Sequence, residues 1–415
     1  MKYLLILIAG SLFQSQLGAS WTRIIHRDDP SGYQWIGTQW AYDAGDGWKY
    51  LPHAGIWVHA TSGWEENIRW QDSSGWHQVD LQWVFETGTG WMQIEASTGW
   101  MHIFDQPDGP PESREFALIP AGSFLMGDSF NEGNWWEWPV HEVEVSTFQM
   151  QKTEVTNAQF ADVMNWAIAQ GDVEVRYFVL WYQDSSKLLQ SGQLWKEGHE
   201  LNWNGSRLMV LPGREDHPCV NVTWFGAMAY CYFLTEMEGL LNQAVDLQDW
   251  SMDLSASGYR LPTEAEWEKA ARGGLVGKRF PWGDTIDHSK ANYRANGERF
   301  SYDTSSYTTE TWHPDWVGDS SVNPFTCSVT TFPPNGFGLY QMADNVSEWC
   351  FDAYASNYYE TSPSKDPMGP PAYGVNILRG GTCSSAADIC RVTYRFGNQA
   401  SGTGSNTGFR VVRSE

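Results

Sequence analysis

Tryptophan recurs at short intervals in the first quarter of the chain, and this spacing limits the possible fold more than any other sequence feature. From Trp35 to Trp100 a tryptophan appears every five to nine residues, and five of them directly follow a glycine. Stretches such as Trp48–Leu51 and Trp91–Ile94 alternate a large apolar residue with one of another type. Short period-two runs interrupted by glycine are typical of hairpin strands. The pattern predicts an all-β module of Trp/Gly hairpin repeats over residues 21–106.

The tryptophans of this module have two open interpretations. Aromatic rings dominate core burial, so the rings can simply form the interior of the stacked hairpins. The repeat also resembles those of cell-surface and cell-wall-binding modules, which implies an exposed platform for a glycan or a cell-surface polymer. Residues 107–114, with the sequence PDGPPESR, then change composition abruptly, as expected of a linker.

Residues 1–20 have the three-part layout of a secretory signal peptide. Lys2 precedes an apolar run from Tyr3 to Ala9, and the small residues 18–20 follow. The run is too short to span about 30 Å of hydrocarbon, and no other long apolar stretch occurs. We therefore expect an exported protein, periplasmic, cell-surface or extracellular, with no transmembrane segment in the mature chain.

The charge balance excludes some partners and favours others. The chain has 26 Lys and Arg residues against 50 Asp and Glu residues, a formal net charge of −24. Phosphate backbones and anionic lipid surfaces need basic patches, so nucleic-acid binding is not expected. Surplus carboxylates suit hard cations such as calcium.

The cysteines predict disulfides if the protein is exported. Six form an even set, and an oxidising compartment favours pairing them. Sequence alone leaves about 15 connectivities open. The six residues are Cys219, Cys231, Cys327, Cys350, Cys383 and Cys390.

The segment from residue 115 to residue 413 reads as one large α+β domain with much irregular structure. Thr156 and Thr263 each stand three residues before a Gln or Glu, which predicts two helices that begin with a capping box. A third helix is expected from about Thr223 to Leu234. The rest is rich in turns, with short apolar runs that indicate strands.

Eight stretches of this segment occur in an order that resembles one known family. They are EFALIPAGSFLMGD, TEVTNAQF, HPCVNVTWFGAMAYC, YRLPTEAEWEKAARGG, FPWGD, NGFGLYQMADNVSEWC, LRGG and NTGFRVV. Together they are similar to the sulfatase-modifying-factor family, which includes formylglycine-generating enzymes. The resemblance covers residues 115–413 and implies an irregular C-type-lectin-like fold. It also implies members of three kinds: copper-dependent oxidases that convert a sulfatase cysteine to formylglycine, ergothioneine-type iron enzymes, and non-catalytic exported proteins.

The catalytic cysteines implied by the resemblance are displaced in this chain. The oxidases place two cysteines, with four residues between them, after an Arg-Gly-Gly motif, because two thiolates bind soft Cu(I). Here Cys390 matches the second position, but Ser385 stands at the first and Ala386 at the following histidine. Cys383 lies two residues before Ser385. A copper site formed by Cys383 and Cys390 is therefore one hypothesis, and a disulfide or two separately placed thiols is the other.

The resemblance also implies substrate-binding and calcium-binding residues. Thr382, Ser385 and Asn406 match positions that bind the substrate. One calcium site is implied at a single loop, through Gln341, the main-chain carbonyls of Asp344 and Val346, and the carboxylate of Glu348. A second begins at Asn292 and Tyr293, and Asp319 is our candidate for its remaining ligand. Oxygen-only ligand sets of this kind suit calcium.

Three functions fit these observations. The first is a diverged or non-catalytic exported member that binds a peptide, a glycan or a surface partner, with loops stabilised by calcium. The second is a copper-dependent formylglycine-generating oxidase that uses Cys383 and Cys390. The third is a structural envelope component that binds no small ligand.

Overall fold

The computed structural model describes residues 114–414, apart from 177–178, 183–192, 197–199, 206, 317–325 and 371–373. Of the first 113 residues it describes only the backbone of ten short strands. The chain divides into two compact units, Met1–Asp108 and Gly109–Glu415. None of the helices described combines the length and apolar character needed to cross a bilayer.

The described parts of the first unit are all strands. Two four-stranded antiparallel sheets each follow the chain order, so that every strand pairs with its sequence neighbour. The strands of the first sheet are Tyr33–Ile36, Gln39–Asp43, Trp48–Leu51 and Ile56–His59. Those of the second are Trp76–Val79, Gln82–Thr87, Trp91–Ile94 and Trp100–His102. Ser20–Thr22 pairs separately with Asn67–Arg69. The role of the tryptophan rings lies outside the described residues, as do residues 1–19.

Three helices of the second unit begin at the predicted threonines. They are α1, Asn157–Gln170; α2, Trp224–Met237; and α3, Glu264–Ala271. The hydroxyls of Thr156, Thr223 and Thr263 each accept a hydrogen bond from the backbone N–H three residues on. Each cap satisfies an N–H that a helix start otherwise leaves unpaired. Short 3₁₀ turns also occur at Trp135–Glu137, Pro314–Trp316 and Tyr358–Glu360.

Two four-stranded sheets organise the second unit. In the first, the order is Phe116–Ile119, Phe148–Gln151, Val412–Ser414 and Tyr259–Arg260, all antiparallel, so the last strand of the chain lies inside the sheet. In the second, the order is Phe396–Gln399, Val375–Arg379, Ser347–Ala353 and Thr407–Gly408, with the last pair parallel. Smaller sheets pair Gly122–Met126 with His141–Val145, Leu201–Trp203 with Leu208–Val210, and Val245–Asp246 with Ser251–Met252. A three-stranded sheet contains Val173–Arg176, Val179–Tyr182 and Gln193–Lys196.

The predicted disulfides are not formed. All six cysteines lie in the described part of the chain, and each is a buried thiol that is not bonded to another cysteine. Cys219 and Cys231 pack in one apolar cluster, Cys350 in a second and Cys390 in a third. A buried thiol packs as a small apolar side chain. The even cysteine count thus reflects core composition in this structure and not covalent pairing.

The three glutamates of α3 are buried in ion pairs with four arginines. Glu264 binds Arg395, with Nε–Oε1 and Nη2–Oε2 distances of 2.6 and 2.8 Å. Two guanidinium nitrogens of Arg260 lie 2.7 Å from the Glu266 oxygens. The third acid, Glu268, pairs with both Arg272 and Arg379. These acids join α3 to the strands around it, and their carboxylates are fully engaged.

Candidate functional site

The loop that carries the candidate cysteines follows the strand Val375–Arg379. Gly380 and Gly381 adopt positive φ angles of 97° and 75°. A Cβ atom on Gly381 would lie 3.1 Å from Cys390 Sγ and 3.2 Å from its Cα. Glycine is required here both for the left-handed backbone and for the close approach of Cys390. The Arg-Gly-Gly motif therefore positions Cys390 against the start of its own loop.

The predicted substrate-binding residues meet in one polar cluster. Thr382 Oγ1 lies 3.0 Å from Ser385 Oγ, and Asn406 Nδ2 donates to Thr382 Oγ1 at 3.4 Å. Asn406 also donates to Ser384 Oγ at 3.3 Å. Ser384 and Asn406 are partly exposed, whereas Thr382 and Ser385 are buried. The cluster thus presents an amide and a hydroxyl outward, supported by two hydroxyls beneath.

Both candidate copper ligands are buried thiols. Burial raises the pKa of Cys383 to about 12, and it also raises the pKa of Cys390 well above its usual range. The Asp344 carboxylate adds to both shifts, and a charge on Cys383 further raises the pKa of Cys390. The two thiols therefore share one neighbourhood with Asp344, and both are held in the protonated form without a metal.

Asn345 joins this loop to Cys327, a cysteine that was not among the predicted site residues. Its carbonyl accepts from Cys383 N at 2.9 Å, and its side-chain oxygen accepts from Cys327 N at 2.9 Å. Its amide donates to Glu154 Oε1 at 3.0 Å. The φ angle of Asn345 is 63°, in the left-handed region where asparagine is enriched. The Asp-Asn pair at 344–345 is the sequence signal for such a junction.

Glu348, the predicted calcium-binding carboxylate, is bonded to protein donors in this structure. Arg410 Nε and Nη2 each lie 2.6 Å from one of its oxygens, and Trp267 Nε1 donates to Oε2 at 2.8 Å. The carboxylate is fully buried and is occupied by these three donors. Glu348 therefore fits a structural ion pair, because a cation at these oxygens would have to displace Arg410.

The other predicted residues of this loop contain unpaired buried oxygens. Gln341 Oε1 and Asp344 Oδ1 accept no hydrogen bond from the described residues, and neither does Oε2 of nearby Glu154. Asp344 Oδ2 accepts from Asn292 N at 2.6 Å. Val346 is buried in the same loop. Unpaired buried oxygens are costly, so Gln341 and Asp344 retain acceptors that a hard cation could use, in a different arrangement from the predicted one.

Charge in this region is unbalanced. Glu154, Asp344 and Glu348 are all fully buried, and Arg410 is the cation that interacts with all three. Burial raises the pKa of Asp344 to about 8; the Asn292 N–H opposes this shift and the Glu348 charge adds to it. Burial also raises the pKa of Glu154 well above its usual range, with the Arg410 charge opposing and that of Glu348 adding. Either protons or a bound cation must offset the surplus negative charge.

Two of the three residues predicted for the second calcium site, Asn292 and Tyr293, lie in the described part of the chain. Asn292 contacts the first loop, since its N–H bonds Asp344 and its carbonyl accepts from Asn345 N at 3.2 Å. The hydroxyl of the next residue, Tyr293, donates to Asp303 at 2.8 Å. Asp319 lies outside the described residues. In the part of the chain that the structure describes, no group of three or more His, Cys, Asp and Glu side chains is arranged to hold a metal ion.

Comparisons with known proteins agree with this architecture. The family model for the sulfatase-modifying factor enzyme 1-like domain matches residues 104–415. The formylglycine-generating enzyme of Streptomyces coelicolor is 33% identical over 319 residues, which cover 73% of this chain and 90% of that protein. The inactive C-alpha-formylglycine-generating enzyme 2 of Mus musculus is 28% identical over 318 residues, 71% of this chain and 84% of that one.

A solved structure supports the fold. Treponema denticola variable protein 1 superposes with a TM-score of 0.50 at 24% identity, covering 74% of this chain and 98% of its own. This likeness agrees with the observed α+β architecture of few helices and many short strands, in the C-type-lectin-like class that the resemblance implied. Because the family model spans most of the chain and the S. coelicolor relative matches over nearly its full length, the chain belongs to the sulfatase-modifying factor family.

Proposed function

We propose that this chain is an exported, non-oxidising member of its family that binds an extended peptide at the surface around Thr382, Ser384 and Asn406. The observation that carries the proposal is the placement of Ser385. It stands at the first copper-cysteine position, and its hydroxyl pairs with Thr382 Oγ1 at 3.0 Å. A hydroxyl lacks the softness that Cu(I) requires of a ligand. The loop that would complete a dithiolate site is used for a polar contact instead.

Restoring the cysteine tests this proposal. We expect the wild-type protein to bind no stoichiometric Cu(I), and Ser385→Cys to bind one Cu(I) per chain in a competition titration under reducing conditions. The matched control is Ser385→Cys combined with Cys390→Ser, which removes one thiolate and should lose the ion. Stoichiometric Cu(I) binding by the wild type, abolished by Cys390→Ser alone, would contradict the proposal.

Peptide binding is supported by the outward polar groups of the site. Ser384 and Asn406 are partly exposed, and Asn406 is fixed by its bonds to Thr382 and Ser384. These two bonds use both N–H groups of the Asn406 amide, so its side-chain oxygen is the group that can accept a hydrogen bond from a peptide N–H. In a screen of immobilised extended peptides, Asn406→Ala should lose binding while the control Asn398→Ala, on the strand Phe396–Gln399, keeps it. Capture of glycans alone on a parallel glycan array would refute the peptide assignment.

We further propose that calcium stabilises the loop Gln341–Glu348 by offsetting its buried negative charge. The unpaired oxygens of Gln341 and Asp344 support this, and the proposed ligand set leaves out Glu348 because Glu348 pairs with Arg410. A cation bound only by the folded state stabilises it by about 2.7 kcal/mol at 100 times Kd. Chelation should lower the Tm of wild type but not that of Asp344→Asn. Equal wild-type melting temperatures with calcium and with chelator would exclude the site.

A second candidate function is a copper-dependent oxidase that uses Cys383 with Cys390. The observation that favours it is that both thiols lie near Gly381, since Cys383 follows it by two residues and Cys390 Sγ would lie 3.1 Å from a Cβ atom at that glycine. This function predicts that Cys383→Ser abolishes both Cu(I) binding and oxidation of a sulfatase-type cysteine. The favoured proposal predicts instead that the wild type already lacks both activities.

Export and surface attachment are part of the proposal and rest on the sequence of residues 1–106. Cell fractionation and N-terminal sequencing of the mature protein test export. Recovery of a protein that retains Lys2 from the cytoplasmic fraction would refute export. Deletion of residues 21–106 should release the remaining domain from the cell surface, if the Trp/Gly module attaches it there to a polymer or a partner.

A further inference from the structure

A small pocket lies on the second unit, beside the end of helix α3 and apart from the cysteine loop. It has a volume of about 250 Å³ and is lined by residues 120–125, residues 274–277 and Phe337. Its rim carries exposed apolar side chains: Leu125 is 52% exposed and Val276 is 78% exposed. Two cationic residues of α3 and its C-terminal cap, Lys269 and Arg272, also line it.

Lys269 is the unusual group in this pocket. Its side chain is 8% exposed, and its ammonium donates to Gly122 O at 2.8 Å and to Val145 O at 3.4 Å. Among the residues that the structure describes, no carboxylate lies within ion-pair distance of it. An ammonium has three donors, so two carbonyl contacts leave one N–H available. A buried cation without a counter-charge is costly, and burial accordingly lowers the pKa of Lys269.

The acids nearest to Lys269 are engaged with other partners. Glu144 pairs with Lys365 at 3.2 Å. Asp366 accepts from the backbone N and the hydroxyl of Ser146 at 2.7 and 2.8 Å. The third acid, Glu266, holds Arg260. Lys269 therefore has no direct ion pair among the described residues, and these three acids act on its charge only from a greater distance.

The other cation of the pocket is already saturated. Arg272 donates to Glu268 Oε1 at 2.7 Å and to the carbonyl of Gly127 at 3.2 Å. Its charge is balanced by Glu268, so it has little to offer a ligand. Lys269 is the cation that remains for an external anion.

We propose that this pocket binds a free aliphatic monocarboxylate, such as a short- or medium-chain fatty acid. The carboxylate would supply the counter-charge that Lys269 lacks, and the alkyl chain would lie against Leu125, Leu275 and Val276. The volume is below the roughly 300 Å³ at which pockets for drug-sized ligands begin, so the acid is small. A single cation suits a monoanion better than a phosphate, which recruits several donors.

Titration of the full chain with octanoate and with octanol, followed by calorimetry, tests this inference. We expect octanoate to bind at least tenfold more tightly than octanol, because only the acid carries a charge for Lys269. Val276→Asp, an exposed rim substitution, should weaken octanoate binding at least tenfold. The matched control is Leu241→Asp, at a residue that is 97% exposed and does not line the pocket, and it should bind as wild type does.

Three results would overturn the proposal: equal affinity for octanoate and octanol, unchanged binding by Val276→Asp, or tighter binding of a leucine-terminated peptide acid than of octanoate. Lys269→Met should abolish the preference for the acid. Lys269 also bonds two carbonyls of the paired strands, so Lys269→Met can prevent folding. In that case the Val276→Asp result decides.

Discussion

Two buried clusters of acids in this protein are balanced in opposite ways. Around α3, three glutamates meet four arginines, and each of the three carboxylates has a guanidinium partner. Around Asn345, the three acids Glu154, Asp344 and Glu348 share Arg410, and two of them keep an oxygen that no described residue bonds. Full pairing is what a structural network requires, since an unpaired buried charge costs several kcal/mol.

The acids of the α3 cluster are paired as stability requires, whereas those of the Asn345 cluster are not. Stability alone therefore does not explain the Asn345 cluster. The α3 cluster lies between strands and fixes them to the helix. The Asn345 cluster is bonded to the backbone of Cys327 and Cys383, and it includes residues that the sequence predicts as metal ligands. Strongly perturbed acids are more frequent at functional sites than elsewhere. We interpret the α3 cluster as scaffold and the Asn345 cluster as the functional centre.

The largest expected effect comes from removing the cation of the unbalanced cluster. Arg410→Met leaves three buried acids without a guanidinium, and should lower the free energy of unfolding by about 4 kcal/mol or more. Urea denaturation measures this. The control is Lys365→Met, whose pair with Glu144 is largely exposed, and it should cost at most about 1 kcal/mol. Similar losses in the two variants would show that Arg410 does not balance the buried acids.

Replacing one acid of each cluster by its amide should change the free energy of unfolding differently in the two clusters. Glu266→Gln weakens the bidentate pair with Arg260 and should cost about 3 kcal/mol. Asp344→Asn, measured with chelator present, removes surplus charge and retains an oxygen for the Asn292 N–H, so stability should be unchanged or higher. If Asp344→Asn is as destabilising as Glu266→Gln in urea denaturation, then the two clusters are alike and the comparison fails.

The next prediction, with a smaller expected effect, concerns His217. A protonated His217 would add positive charge near the acids of the Asn345 cluster. Burial, assisted by the charge of Arg214, lowers the pKa of His217 to about 4, although Asp216 opposes the shift. His217 Nδ1 lies 2.9 Å from Oγ1 of Thr326, the residue before Cys327. The folded protein therefore holds His217 neutral, and this histidine does not compensate the acids.

The sign of the pH dependence follows from this depressed pKa. The unfolded chain takes up the proton near pH 6.5 and the folded chain only near pH 4. The contribution of His217 is complete above pH 6.5 and falls by about 3 kcal/mol as the pH drops towards 4. His217→Gln should remove this part of the pH dependence of unfolding. A wild-type slope that the substitution leaves intact would show that other groups cause it.

Features set by neighbouring residues could be predicted from the sequence, whereas those set by distant partners could not. The threonine caps of α1 and α3 depend on a residue three positions away, and they are found as predicted. The local motif around Glu348 predicts calcium, but its partners Arg410 and Trp267 lie 62 and 81 residues away. The cysteine count likewise could not reveal that the thiols are distributed among separate apolar clusters.

Only part of the polar cluster of Thr382, Ser385 and Asn406 could be predicted from the sequence. Thr382 and Ser385 are neighbours, and their contact follows from a short turn closed by Ser385 N and Thr382 O. Asn406 joins them because Ser347 N bonds its carbonyl and the strand Thr407–Gly408 runs parallel to Ser347–Ala353. A parallel pairing of such short strands depends on the whole fold and has no local signature.

The most direct test of the central claim is an activity measurement on the wild-type chain. Purified protein is incubated with a sulfatase-derived cysteine peptide, copper and oxygen, and mass spectrometry follows the conversion of the cysteine to an aldehyde. The S. coelicolor formylglycine-generating enzyme serves as the positive control. With Ser385 in place of the first thiolate, we expect no aldehyde above the protein-free background. Aldehyde formation that depends on Cys390 would contradict the claim that this chain is a binding protein and not an oxidase.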